Sequence, residues 1–389
     1  MDACAGRISP IDASPVRTDS LFQVFEAATP VLATVALQIA AAPGTRLRLD
    51  APLCEAWSGF GAWPPHNPLA HLSLAELLSH RSKLGSVLPP AATPEDLAST
   101  IAMETRVSRS TPSPQSALAT SATGVESGER PLPAASYEGA PFGWALGGIM
   151  RAVSGGTSIE GLVESRLLRP LSITDEMLFA LPGGVHERAV THSVSLLPDD
   201  ADLELIALIS NQEEEDTDNS GGANAASTDG PGPSSNAPGE AGTRSTARLL
   251  SPAGLNMRRM RSAFLPGVSA HSSAHALATF YSALGGGQLL PRAVLARAAQ
   301  RASRGMFAGE EATWGLGMQI GALCEGEWRH VALGHAATGG SLGFCVPQLD
   351  LAIGITLSRL TAEKTATRRI LALVLHECVG SDAVLAGLL

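Results

Sequence analysis

Apolar residues crowd into helical stretches along most of this chain and into short, turn-bounded runs only near its end. The pattern predicts helices over Pro30–Ala42, Leu74–Ser79 and Gly143–Val153, the last closing on Ser154-Gly155-Gly156. A further helix spans Ile159–Leu168 and stops before Pro170, because proline disfavours helix in the residue ahead of it. Ser273–Leu284 reads as a helix ended by Gly285-Gly286-Gly287. After Trp314 the runs Gly315–Gly321, Trp328–Gly334, Gly343–Pro347 and Leu351–Leu357 are separated by Gly, Pro and Asp, which predicts an antiparallel meander. Thr365–Cys378 closes the chain as a helix. Strands gathered late, with helices on both sides in sequence, indicate an α+β fold: an antiparallel sheet covered by helices, plus a mainly helical region.

Two stretches break this texture. Residues 107–135 are rich in Ser, Thr and Pro, and residues 211–248 form an acidic low-complexity run. Neither carries enough apolar surface to offset the entropy of ordering, so both are expected to be disordered insertions in a single domain spanning 1–389. A chain of 389 residues that is 44% hydrophobic can bury a sizeable core. The formal net charge of -10, with Lys and Arg unclustered, argues against nucleic acid or an anionic membrane surface and leaves a small molecule or another protein as the partner. The longest apolar run, Val31–Ala42, is short of the ~20 residues of a membrane span, and the start Met1-Asp2-Ala3 lacks the basic region of a signal peptide. Five scattered cysteines without close pairs fit reduced thiols in a cell interior, cytoplasm or plastid, and fit neither a disulfide framework nor a zinc site.

Several landmarks then fall in a recognisable order. They are Asp19-Ser20-Leu21-Phe22, the run Leu74-Ala75-Glu76-Leu77-Leu78-Ser79-His80-Arg81-Ser82-Lys83-Leu84, Val153-Ser154-Gly155, Leu168-Arg169-Pro170-Leu171, and Gly334-His335 followed by Gly339-Gly340-Ser341-Leu342-Gly343-Phe344. Together they resemble the serine β-lactamase and penicillin-binding-protein superfamily, in its class C and esterase-like branch. Phe142-Gly143-Trp144, Pro182-Gly183-Gly184-Val185-His186-Glu187-Arg188, Asn256-Met257-Arg258-Arg259 and Gly343-Phe344-Cys345 look most like the β-lactamase-related domain that follows an ABC1-type atypical kinase domain in plants and green algae. The resemblance implies the β-lactamase/transpeptidase-like fold and, in active relatives, acyl transfer without a cofactor.

That chemistry uses a serine at the start of a helix and a lysine one turn on, so that both side chains share a face. Counted from Asp19-Ser20-Leu21-Phe22, the matching stretch is Phe25-Glu26-Ala27-Ala28-Thr29-Pro30. Glu26 stands where the resemblance places the serine, and Thr29 where it places the lysine. The two lysines of the chain, Lys83 and Lys364, have His80 and Thr361 three residues earlier, so Ser-x-x-Lys occurs nowhere. Pro30 has no N–H and its ring would meet the carbonyl of residue 26 in a continuous helix; Thr29 as N-cap with Pro30 at the first helical position is the expected start.

The resemblance also assigns Tyr137 to the family tyrosine, with Gly139 at the position of the family asparagine. His335 matches the late-strand His-x-Gly, whose strand lines the cleft and helps form the oxyanion hole, and Gly339, Gly340 and Ser341 follow as candidate ligand contacts. His80 is expected in a loop beside the cleft. His271 and His275 have i, i+4 spacing but no third ligand at sequence range, and no metal is expected. The reading that follows is a domain with a degenerate active site that binds a ligand or a protein. The alternative is a working serine hydrolase, an esterase, peptidase or β-lactamase-like enzyme, with a relocated nucleophile such as Ser20, Ser136 or Ser341. Only eighteen residues precede Asp19, where the family carries further β-structure. A sheet edge left open for pairing, or a sequence lacking its first strands, is the expected consequence.

Overall fold

The computed structural model describes residues 1–57, 71–82, 131–137, 139–181, 195–196, 252–261, 267, 269–361 and 363–389. The insertion at 211–248 and most of that at 107–135 lie outside them. The strands are β1 (Phe22–Gln23), β2 (Met177–Leu178), β3 (His271–Ser272), β4 (Ser303–Phe307), β5 (Glu310–Trp314), β6 (Gln319–Glu325), β7 (Trp328–Ala336), β8 (Leu342–Val346), β9 (Leu351–Ile355) and β10 (Val384–Ala386). The four longest helices are α1 (Thr29–Ala41), α2 (Gly139–Val153), α3 (Ala274–Gly285) and α4 (Thr365–Cys378).

The main sheet runs β4-β5-β6-β7-β8-β9, antiparallel throughout, with β10 added to β6 along Ala322–Cys324 where β5 has left it. A small sheet, β1-β3-β2, lies apart from it in the ladder. Side chains alternate across the main sheet as a period of two requires. On β7, Leu333 joins the core built by α1, α2 and α3, whereas Ala332 and Ala336 join the core covered by Leu371 and Leu375 of α4. Helix α1 is apolar on every side, and Val31 to Leu37 are all buried, as a helix of that kind must be. Among the described residues β9 pairs only with β8, and a cavity of about 600 Å³ runs beside it, walled by α3, α4 and Met1–Ala3.

The fold is the antiparallel sheet covered by helices that the sequence predicts, with its meander and late helix in the predicted places. Three local expectations need correction. First, β4 and β5 were hidden by their polar outer positions and by an uncommon turn: Phe307 pairs with Glu310, so Ala308 and Gly309 form a two-residue hairpin loop, both at positive φ, 49° and 78°. Alanine in place of the usual asparagine removed the turn signal. Second, residues 131–135 of the supposed insertion are ordered along β4, with Ala135 N–H donating to Arg304 O (2.8 Å) and Arg304 N–H to Pro133 O (3.0 Å). Gly305 permits this approach, because a Cβ there would sit 2.3 Å from Ala135 O. Third, α1 starts at Thr29 with Ala28 as N-cap, and the Thr29 side chain makes no capping bond. A 3₁₀ turn, Phe25–Ala28, precedes it; with i→i+3 bonding the turn does not drive the ring of Pro30 onto the Glu26 carbonyl, which accepts from Thr29 N–H instead. His271 lies on β3 and His275 on α3, so the two do not share a helix face.

Candidate active site

The 3₁₀ turn before α1 lies against β7, and that contact assembles the site. Phe25 holds a left-handed backbone (φ 46°) while its side chain is buried, which throws the next residue, Glu26, toward the strand. Tyr281 of α3 anchors the turn from behind, its hydroxyl donating to Ala27 O (3.0 Å), and its ring lies so close to β8 that a Cβ on Gly343 would meet it at 2.2 Å.

Glu26 is held by donors. Thr338 N–H donates to Oε2 (3.0 Å) and the Thr338 hydroxyl to Oε1 (3.0 Å). Desolvation nevertheless wins and raises its pKa, although the Thr338 donors, the nearby backbone and the charge of Lys364 oppose the rise. Part of the residue's surface stays open to solvent. One helical turn on, Thr29 is buried and faces Tyr137, close enough to oppose the rise of the phenol's pKa, but its Oγ1 has no well-formed hydrogen bond. Burial, then the nearby Glu26 charge, pushes the Tyr137 hydroxyl well above the usual phenol range.

His335 is fully buried near the end of β7. Its Nδ1 faces the Ala336 carbonyl at 2.6 Å, which fixes the proton on Nδ1 and leaves Nε2 as a lone-pair acceptor, without a partner. Burial lowers its pKa to about 4. The walls are aromatic: Phe307 stands 4.6 Å from Tyr137 and 5.3 Å from His335 (ring centroids), and His80 packs between Tyr137 (4.7 Å), Phe142 (4.9 Å) and Trp314 (5.4 Å). His80 lies, as expected, in a turn beside the site, and it is fully buried there at φ 53°, with neither nitrogen bonded and a pKa depressed by burial to about 3.

The structure therefore gathers Glu26, Thr29, Tyr137 and His335 in one place. Gly339, Gly340 and Ser341 are engaged elsewhere. A Cβ on Gly339 would meet Leu360 at 2.3 Å and one on Gly340 would meet Thr367 of α4 at 2.9 Å, while Ser341 Oγ accepts from Leu357 N–H (3.3 Å). These residues let the segments behind the strand close upon it. Gly139 opens α2. Sequence reasoning missed Lys364, which enters from the start of α4 with its ammonium 5.8 Å from the Phe307 centroid. The signal available was its rarity, one of two lysines in the chain. Among the described residues no cluster of three His, Cys, Asp or Glu could hold a metal, and no helix is long and apolar enough to cross a membrane.

The family model for Beta-lactamase matches residues 8–376. Esterase/beta-lactamase LipL of Mycobacterium tuberculosis is 29% identical over 168 residues, 43% of this chain and 33% of that protein, so the match spans about a third of the relative's length. Among solved structures, a family VIII carboxylesterase superposes with a TM-score of 0.61 and a penicillin-binding protein homologue from Caulobacter crescentus with 0.60. Each is 18% identical, and each match covers 92% of this chain and 82% of the other. At that identity the likeness is one of fold.

Proposed function

The chain belongs to the β-lactamase family, and on that premise we propose that it is a binding member of the family in which acyl transfer has been given up. One observation carries the reading: the carboxylate of Glu26 takes hydrogen bonds from the amide and from the hydroxyl of Thr338. Acyl transfer needs paired donors free at the spot where a substrate carbonyl oxygen gains charge. Here a resident carboxylate occupies the Thr338 amide, and the residue carrying it replaces the nucleophile. The motifs around Phe142, Asn256 and Phe344 place the chain, in our reading, with the branch that accompanies ABC1-type kinase domains in plants and algae.

A hydrolytic reading draws on relatives named as esterases and needs a relocated nucleophile. The three serines at issue do not favour it. Ser20 Oγ accepts from Arg17 N–H (2.9 Å), Ser341 Oγ accepts from Leu357 N–H, and Ser136 is exposed; none of the three hydroxyls bonds His335 or Tyr137.

The deciding measurement is intact mass after incubation with a reactive β-lactam and, separately, with a fluorophosphonate. The folded protein is expected to show no adduct with either. A stoichiometric adduct mapped to a single serine would reverse the assignment and make the chain a hydrolase. A second expectation concerns repair. Glu26→Ser combined with Thr29→Lys is expected to leave hydrolysis of a chromogenic β-lactam at background, because Pro30 and the 3₁₀ turn hold residues 26 and 29 in a geometry other than an α-helical turn. Turnover by that double variant, with Pro30 untouched, would sink the argument from the turn.

A further inference from the structure

The two edges of the main sheet differ. Along β4, residues 131–135 lie as an extended strap, hydrogen-bonded through Ala135 N–H and Pro133 O to Arg304. At the other edge, β9 pairs only with β8 among the described residues, so the N–H and C=O groups on its outer side have no ladder there. Its sequence, Leu351-Ala352-Ile353-Gly354-Ile355, carries none of the usual protections of an edge: no charge, no proline and no bulge.

The space beside β9 has the shape of one more strand. The cavity of about 600 Å³ has the strand edge as its floor, and its walls are α3 and α4, which cover opposite faces of the sheet. With a rise of about 3.4 Å per residue, about 4.8 Å between strands and about 10 Å between layers, that volume holds one strand of about four residues and no second one. The same walls decide against a second copy of the chain, whose β9 would bring its own α3 and α4 into the space that these helices already border. Met1–Ala3, the remaining wall, are exposed and make no ladder with β9.

The walls also set the pattern of the occupant. On one side a Cβ on Gly354 would meet Ala274 O at 2.5 Å, so α3 lies close, and Ala274, Ala278 and Ser282 line the slot at one-turn intervals. That side admits small side chains. On the other, Ile353 and Ile355 join the core under Leu371 and Leu375 of α4, and Ile370 and Val374 carry that apolar surface into the slot. That side takes large apolar ones. The lining includes two carboxylates, Asp2 and Asp350, and no lysine or arginine. Asp350 immediately precedes β9, so a basic residue belongs at the C-terminal end of an antiparallel occupant.

We propose that this slot receives one extended segment of a partner protein, added to β9 as an antiparallel strand, with large apolar side chains toward α4, small ones toward α3 and a basic residue beside Asp350. Antiparallel pairing is the rule throughout this sheet and the more stable per residue. Main-chain pairing supplies the affinity and the alternation the specificity. The slot shares no residue with Glu26, Thr29, Tyr137 or His335, so the proposal stands apart from the reading of the cleft.

The test is fluorescence anisotropy of a fluorescein-labelled peptide, Val-Ser-Ile-Ser-Val-Lys-amide, titrated with the full chain. Directly opposed residues share a face, so its Val and Ile side chains would lie opposite Leu351, Ile353 and Ile355. Saturable binding at one site is expected. Successive amides of a strand point to opposite edges, so of two N-methylated versions, one at the Val and Ile amides and one at the Ser amides, the first or the second should lose at least tenfold and the other should bind as before. Ile370→Glu, at a position 39% exposed, is expected to weaken the peptide at least tenfold. Glu in place of the peptide's Lys should cost about threefold. No saturable binding would mean that the chain fills its own slot, and a dimer of the free chain that the peptide dissociates would put a second copy there; either overturns the proposal. Equal binding of the two N-methylated versions, equal binding of the Lys and Glu peptides, or undiminished affinity in folded Ile370→Glu would overturn it as well. Should that variant fail to fold, the N-methylated peptides on the unmodified chain decide.

Discussion

Lowering the pH from 7 to 4 is expected to unfold this protein, through three histidines that the fold buries as neutral rings. His80, His271 and His335 are fully buried, and desolvation holds their pKa values at about 3, about 3 and about 4. In the unfolded chain each titrates near 6.5. Between 6.5 and those folded values the unfolded state binds more protons, so stability is complete above pH 6.5 and is lost as the pH falls. With all three engaged the slope approaches about 4 kcal/mol per pH unit, and the loss by pH 4 is on the order of 10 kcal/mol, comparable to the whole stability of a domain. Glu26 has the opposite sign, because its raised pKa means that stability declines as the pH climbs through its range. It cannot offset three imidazoles. Urea midpoints measured at intervals from pH 7.5 to 4 should be flat at first and then fall steeply. His80→Leu should remove about a third of the acid slope. A midpoint unchanged down to pH 5 would mean that these rings meet water or a partner in the native state.

Gly317→Ala should be strongly destabilising, because an added methyl meets both a left-handed backbone and a neighbouring helix. Gly317 lies in the turn between β5 and β6 at φ 78°, and its N–H donates to Leu78 O (2.7 Å), tying the sheet to the short helix Leu74–Leu78. A Cβ there would lie 2.1 Å from the Cβ of Ala33 in α1. Ala33 has no rotamer with which to yield, so either the backbone of α1 or that of the turn must move. Left-handed strain of about 1–2 kcal/mol adds to overpacking of about 1–3 kcal/mol, roughly 3–4 kcal/mol together. That corresponds to a fall in Tm on the order of 10 °C. Because α1 follows directly from the turn carrying Glu26, the same variant should disturb the near-ultraviolet signal of the aromatic cluster. A loss of less than 1 kcal/mol would show that the contact between sheet and α1 is looser than the geometry requires. Gly309→Ala is the comparison: its φ is also 78°, yet nothing lies within 4 Å of an added Cβ, so strain alone should act there.

Much of the framework was legible in the amino-acid pattern. Helices α1, α2, α3 and α4 and strands β6 to β9 follow from periodicity, Gly and Pro punctuation and the N-cap at Ser273, all of which act over a few residues. The absence of Ser-x-x-Lys from the chain, and the proline that follows Thr29, are equally local and were equally visible. The short hairpin β4–β5 was not, since its strands carry Arg304 and Glu311 on one exposed face and Glu310 beside the loop, and that loop begins with alanine.

The site divides along the same line. Sequence by itself determined that Glu26 and Thr29 stand one turn apart ahead of Pro30, because identity and spacing within one turn are local properties. Only the tertiary structure decided what those residues face. Glu26 finds its donors at Thr338, 312 residues away; Lys364 reaches the Phe307 ring from a different element; His80 becomes a buried neutral ring between Tyr137, Phe142 and Trp314. Each outcome depends on burial and on charge at a distance, and the free energy of a charged or polar group is set by the partners and the solvent around it rather than by its neighbours in the chain.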